Sequence, residues 1–271
     1  MLNVTMLGGV SFQINGAATR VELGRHGRLL ACYLFEFSGR AHRREWLADL
    51  FWEGLEPERA RSALNTAIWR IRKLLDLDPE VGNWRLVTSG DEVMLEYATS
   101  LSVDTHHLQD AAKLVSRVDH EQLTSEDEAA VATAIQRYLG PFLDGESGDW
   151  VLQERERLHC LFIRSTLALM RLDARRGLLE SALEYGRRIL AVDALREGVQ
   201  REVMLLLVLN GQRAEAIHTY HRLRAALKRD LGIEPMPETK RLADDIRSGA
   251  IFDRLGEYVR VQFASSPAPL A

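Results

Sequence analysis

The chain has 271 residues, 46% hydrophobic and 27% charged, enough to bury two ordinary cores with no disulfide or metal to staple them. Its formal net charge is −4, and neither part is basic: residues 1–100 carry a net −1 and residues 101–271 a net −3. This excludes a uniformly basic nucleic-acid binder. It is equally unlike a helical membrane protein, because no apolar run approaches the ~20 residues that span a bilayer.

The first ~23 residues alternate in "LNVTML", "VSFQI" and "TRVEL", with turns at "GG" and "NGAA", which predicts a small antiparallel sheet. The absence of a basic region ahead of these strands argues against a secretion signal, and a cytoplasmic location is expected. Helical spacing of Leu29, Leu30, Tyr33, Leu34 and Phe37 follows, then a short helix in "RREWLADLFW". After the turn "EGLEPE", residues 59–75 form a third helix, "RARSALNTAIWRIRKLL", with Pro57 tolerated in its first turn. A loop leads to "WRLVTS" and "EVMLEY" around "GD", a β-hairpin pattern.

From Val103 onward the pattern is helical nearly throughout, with helices expected at about 105–118, 125–139, 149–176, 179–192, 196–210, 213–230 and 237–248. Gly177 and Gly211 lie 34 residues apart, each between two helices, and Ala182/Leu183 are echoed by Ala216/Ile217. That period is the tetratricopeptide signature. Ala194 stands where such repeats commonly carry Pro, and Gly186 occupies the position matched by Tyr220, so the first repeat is expected to pack loosely. The expected division is 1–98, 103–248, and a C-terminal extension 249–271 whose end, "FASSPAPLA", has a disordered composition.

The third helix carries the chemistry. It holds five Arg or Lys and no acidic residue. At 100° per residue Ala60, Leu64, Ala67, Ile68, Ile71 and Leu75 share one face. The opposite face presents Ser62, Thr66, Trp69, Arg70 and Lys73, with Arg59, Arg61 and Arg72 on its flanks. A charged face is ordinarily just solvated. Here Trp69 is set among the cations, and no carboxylate stands at i±4 within the helix to pair them. A rod about 10–12 Å wide with hydrogen-bonding and cationic side chains suits the DNA major groove.

The run "LGRHGRLLACYLFEFSGRAHRREWLADLFWEGLEPERARSALNTAIWRIRKLLD" resembles the OmpR-type winged-helix domain, in the version found in Streptomyces antibiotic regulatory proteins. The resemblance continues in "VDTHHL" at 103–108. It is strongest in "ALEYGRRILAVDALREGVQREVMLLLVLNGQRAEAIHTYHRLRAALKRDLGIEPMPETKRL", which is similar to the bacterial transcriptional activator domain. The fold it implies is mainly α: an N-terminal winged helix-turn-helix with a small β-sheet and a wing hairpin, then an all-α tetratricopeptide-like domain. It implies a DNA-binding activator. Copies would sit side by side on direct repeats in double-stranded promoter DNA and recruit RNA polymerase through its sigma subunit.

By position, 59–75 would be the recognition helix, with Ser62, Asn65, Thr66, Trp69, Arg70 and Lys73 towards the groove. Arg43 and Arg44 would meet phosphate at the start of the preceding helix. The hairpin would be the wing, but Asp91 and Glu92 occupy its tip. Either it stands away from DNA, or only Arg85, Thr88 and Ser89 approach. No receiver, phosphopeptide or ATPase module is expected in the chain.

Other patterns are weak. His218 and His221 share a helix face with Glu215 but have no third strong ligand, so no metal is expected. No phosphate-binding loop or nucleophile elbow occurs, and neither a cofactor nor an enzymatic activity is expected. Cys32 and Cys160 are expected as buried, reduced thiols. The competing reading is an adaptor or ligand-binding protein of tetratricopeptide type, with a winged helix that binds DNA weakly or not at all.

Overall fold

A computed structural model of the chain describes residues 2–19, 21–77, 86–96, 101–117 and 123–263. Its elements run β1 (Leu2–Thr5), β2 (Ser11–Ile14), β3 (Ala17–Ala18), α1 (Arg25–Glu36), β4 (Ala41–Arg43), α2 (Arg44–Phe51) and α3 (Pro57–Leu75). Then come β5 (Leu86–Ser89), β6 (Glu92–Leu95), β7 (Leu101–Val103), α4 (Asp104–Arg117), α5 (Ser125–Gln136) and α6 (Asp149–Arg175). The last five are α7 (Leu179–Val192), α8 (Glu197–Leu209), α9 (Arg213–Asp230), α10 (Pro237–Ser248) and α11 (Ile251–Phe263).

The chain divides into two compact units: residues 1–109 together with 137–158, and residues 110–136 together with 159–271. This division differs from the motif boundary near residue 100, because residues 137–158 belong with the N-terminal strands. Leu143 N–H donates to the Met6 carbonyl at 2.9 Å and Gly8 N–H to that of Pro141 at 2.9 Å. The Arg155 guanidinium donates to the carbonyls of Phe142, Leu143 and Glu146 at 2.8–2.9 Å, satisfying backbone acceptors in an irregular turn.

The first unit holds a winged helix. β1 and β2 form the expected antiparallel pair, with Leu2 opposite Ile14, but the third strand is Ala17–Ala18, inside the stretch read as a turn, and the described residues of "TRVEL" form no strand. Two strands were not legible in the alternation. β7 pairs parallel to β1, Leu2 beside Leu101, giving the order β3-β2-β1-β7, and β4 pairs with the hairpin in the order β4-β6-β5. Directly after β7, the Asp104 carboxylate accepts the N–H groups of Met6, Leu7 and Thr105 at 2.8–3.0 Å. The aspartate of "VDTHHL" thus fastens the start of α4 to the end of β1. Burial outweighs these bonds and lifts its pKa to about 6.

Helices α1, α2 and α3 pack on one another through Leu30, Leu34, Phe35, Leu47, Phe51, Leu64 and Ile71, all buried. The buried side of α3 is the expected one with Leu74 added. Tyr33 collects a ring cluster from Phe37, His42, Trp46, Phe51 and Trp150.

The second unit is all helical and built on α8. Residues 202–208 are buried on every side, the pattern of a central helix. Its carboxylate Glu202 receives two hydrogen bonds from Arg171 at 2.6 and 3.0 Å. The 34-residue period has a structural basis: Gly177 and Gly211 take φ of 75° and 74°, and the next N–H reaches back in the same way, Leu178 to Asp173 O and Gln212 to Leu207 O.

Two further expectations are corrected. The first repeat is not loose: a Cβ on Gly186 would lie 2.5 Å from Val203 Cγ2 and 3.3 Å from Met170 Sδ, so those side chains already fill the space. Cys160 is exposed, whereas Cys32 is buried. The C-terminal extension contains a further helix, α11; the expectation of a disordered end falls on residues outside those described, apart from Phe263 at its start.

Candidate nucleic-acid interface

Helix α3 begins with Pro57 at its first turn, where the missing N–H costs nothing, and ends with Arg72 and Lys73, cations placed favourably for the helix dipole. Its apolar seam is consumed by packing on α1 and α2, so the other side must face outward. Arg59, Arg61, Ser62, Asn65, Thr66, Trp69, Arg72 and Lys73 are all exposed, and Arg70 is half-buried. Trp69 is 54% exposed. The Lys73 ammonium lies 4.0 Å from the Trp69 ring centroid, which holds the indole upright by a cation–π contact. The Thr66 hydroxyl donates to the Ser62 carbonyl one turn back at 3.0 Å, which leaves its oxygen able to accept.

The cations differ in what already holds them. Arg61 is 3.9 Å from Glu45 of α2, with both side chains mostly exposed, a pair of little energetic consequence. Among the described residues no carboxylate lies within 4.0 Å of the charged ends of Arg59, Arg70, Arg72 or Lys73. Arg70 reaches back towards the Leu23 carbonyl at 3.5 Å, beside a crevice of about 270 Å³ lined by residues 23–27, Trp52, Thr66 and Arg70. Arg72 donates to Leu86 O at 3.2 Å and Thr88 Oγ1 at 3.0 Å, so it braces the wing against the helix.

At the start of α2, Arg43 is exposed and ends β4. Arg44 donates its backbone N–H to Asp91 O at 2.8 Å and its guanidinium to Asn65 Oδ1. The wing tip therefore occupies one N–H of the helix terminus that a phosphate was expected to use, and Asn65 serves Arg44. Arg85 lies outside the described residues. Asp91 and Glu92 are exposed, as are Thr88 and Ser89.

Sequence spacing thus identified the exposed row but not the tethers. The tethers that spacing missed are Leu23, Leu86 and the Asp91 backbone; carbonyl acceptors leave no mark in residue type.

A winged helix-turn-helix with an outward cationic third helix, followed by a helix-turn-helix repeat unit, defines the class of this chain. Residues 103–247 match the family described as "Bacterial transcriptional activator domain", and the chain belongs to that family. It is similar to "Regulatory protein AfsR" of Streptomyces griseus, 27% identical over 227 residues covering 81% of this chain and 22% of that protein. It is also similar to "Transcriptional regulatory protein MoaR1" of Mycobacterium tuberculosis, 26% identical over 278 residues covering 96% of this chain and 86% of that one. The chain therefore spans about a fifth of the AfsR length but most of MoaR1. Among solved structures, Mycobacterium tuberculosis EmbR, in complex with a low affinity phosphopeptide, shares the fold: TM-score 0.66, 20% identity, covering 96% of this chain and 69% of that one.

Proposed function

We propose that this chain regulates transcription by binding double-stranded promoter DNA through α3. The observation that carries the reading is the exposed row Ser62, Thr66, Trp69 and Lys73, with Arg59 beside it and no carboxylate of the described residues within 4.0 Å of Arg59 or Lys73. In this reading Ser62, Thr66, Trp69 and Lys73 enter the major groove. Arg59, Arg61 and Arg43 meet phosphates, and Arg70 reaches in from the flank. Arg44, Asn65 and Arg72 orient α2, α3 and the wing. With Asp91 and Glu92 at its tip, the wing meets DNA through Arg85, Thr88 and Ser89 or stands clear of it.

Copies bound side by side on direct repeats would present a surface to RNA polymerase and its sigma subunit, as an activator must. Membership of the activator family and the regulatory names of its relatives support this. The test is capture of genomic DNA fragments by the purified full chain, followed by fluorescence anisotropy on a captured site. Thr66→Ala is expected to relax base preference at the positions it reads, and Arg59→Ala to weaken all sequences alike. Absence of salt-sensitive binding to any captured fragment, with a folded chain, refutes the proposal.

A further inference from the structure

The second unit contains a groove that DNA binding does not use. It lies among α7, α8 and α9, with a volume of about 380 Å³, within the range of small-molecule sites. Its apolar lining comes from Leu190, Val203, Leu207 and Leu223. Two polar features stand out against that lining.

The first is Gln200, 6% exposed. Its Nε2 donates to the Ala194 carbonyl at 2.8 Å, which decides the orientation of the amide. The other end, Oε1, is buried and has no hydrogen-bond partner among the described residues. A buried acceptor left without a donor is costly, and this one belongs to a residue that lines the groove. The second feature is charge. Arg222 is matched by Glu215 at 2.8 Å. Arg187, also in the lining, is exposed and has no carboxylate within 4.0 Å among the described residues. The groove thus carries one uncompensated positive charge.

We infer that the α7–α9 groove binds a small amphipathic acid: an apolar body, an N–H or O–H that donates to Gln200 Oε1, and an anionic group that meets Arg187. Each ligand feature answers one feature of the site. The apolar body displaces water from the leucine and valine lining. The donor satisfies the stranded amide oxygen, and the anion pairs with the free guanidinium.

Three probes with the same octyl-length tail test this by isothermal titration calorimetry on the full chain. N-Octanoylglycine carries tail, N–H and carboxylate; N-octanoylsarcosine lacks only the N–H; octylamine reverses the charge. N-Octanoylglycine is expected to bind at one site per chain, about tenfold tighter than the sarcosine analogue and at least tenfold tighter than octylamine. Gln200→Leu should erase the difference between the first two. Arg187→Gln should weaken both acids about tenfold and leave octylamine binding no weaker than before. Ala191→Trp, an exposed position on the lining, should block all binding without unfolding the chain, as circular dichroism would show. No saturable binding of N-octanoylglycine, equal binding of all three probes, or binding that survives Ala191→Trp overturns the inference. DNA affinity is read separately, so failure of one proposal leaves the other standing.

Discussion

Arg59 and Arg72 sit on the same helix and carry the same charge, yet the structure surrounds them differently, and under the proposed DNA binding they should respond differently to substitution. Arg59 is exposed with no carboxylate of the described residues within 4.0 Å, whereas the Arg72 guanidinium is committed to Leu86 O and Thr88 Oγ1 at 3.2 and 3.0 Å. Each phosphate neutralised on duplex DNA adds about 0.9 to the slope of log K against log salt. Raising salt from about 50 to about 200 mM therefore costs roughly 3.5-fold in affinity per contact. Arg59→Ala should flatten that slope by about one contact. Arg72→Ala removes two hydrogen bonds of about 1 kcal/mol each that hold the wing to α3. It should lower affinity at every salt concentration by loosening the wing, and leave the slope unchanged. Fluorescence anisotropy titrations of the two variants and the parent at four or so salt concentrations separate the outcomes. If Arg72→Ala flattens the slope and Arg59→Ala does not, the assignment of free and tethered cations is wrong.

Three further outcomes follow from the packing and the buried groups. Gly186→Ala should cost ~1–3 kcal/mol in urea denaturation, because the new methyl meets Val203 Cγ2 at 2.5 Å; an exposed helical glycine would instead gain ~0.5–1 kcal/mol. Adding Val203→Ala should recover part of that loss, visible as coupling in a double-mutant cycle. Asp104 has a folded pKa of about 6, above its unfolded value, so its folded form holds a proton that the unfolded form has lost. Its contribution to stability is fully present at acid pH below the unfolded value and lost as pH rises through about 6, on the order of 3 kcal/mol in all. The drop in stability between pH 5 and pH 7 should accordingly shrink in Asp104→Asn, read by thermal unfolding at both values. A thiol reagent should modify Cys160 rapidly in the native chain and Cys32 only after denaturation, since Cys32 is fully buried and burial pushes its thiol far up.

Much of the helical architecture was readable from periodicity. The expected spans for α7, α9 and α10 agree with the structure to the residue, because the turn glycines Gly177, Gly211 and Gly249 and the helix-opening Pro237 mark most of their ends. The short strands β4 and β7 escaped notice. Three residues are too few for alternation to register, and each is a strand only because β6 or β1 lies alongside. Helix α11 was passed over beside a tail rich in Pro and Ser. Gly186 misled because its missing side chain reads as empty space along the chain, while Val203 and Met170 fill that space from neighbouring helices.

The order of amino acids alone dictated the third helix, its apolar seam and its cationic row, since all three depend on residues a few positions apart on one rod. Folding in three dimensions chose which cations stay free. Arg70 and Arg72 find carbonyls 47 and 14 positions away, and Arg44 finds both Asn65 and the Asp91 backbone. Backbone acceptors are identical at every position, so which one lies within 3 Å or so of a guanidinium is a matter of long-range packing that no local pattern encodes.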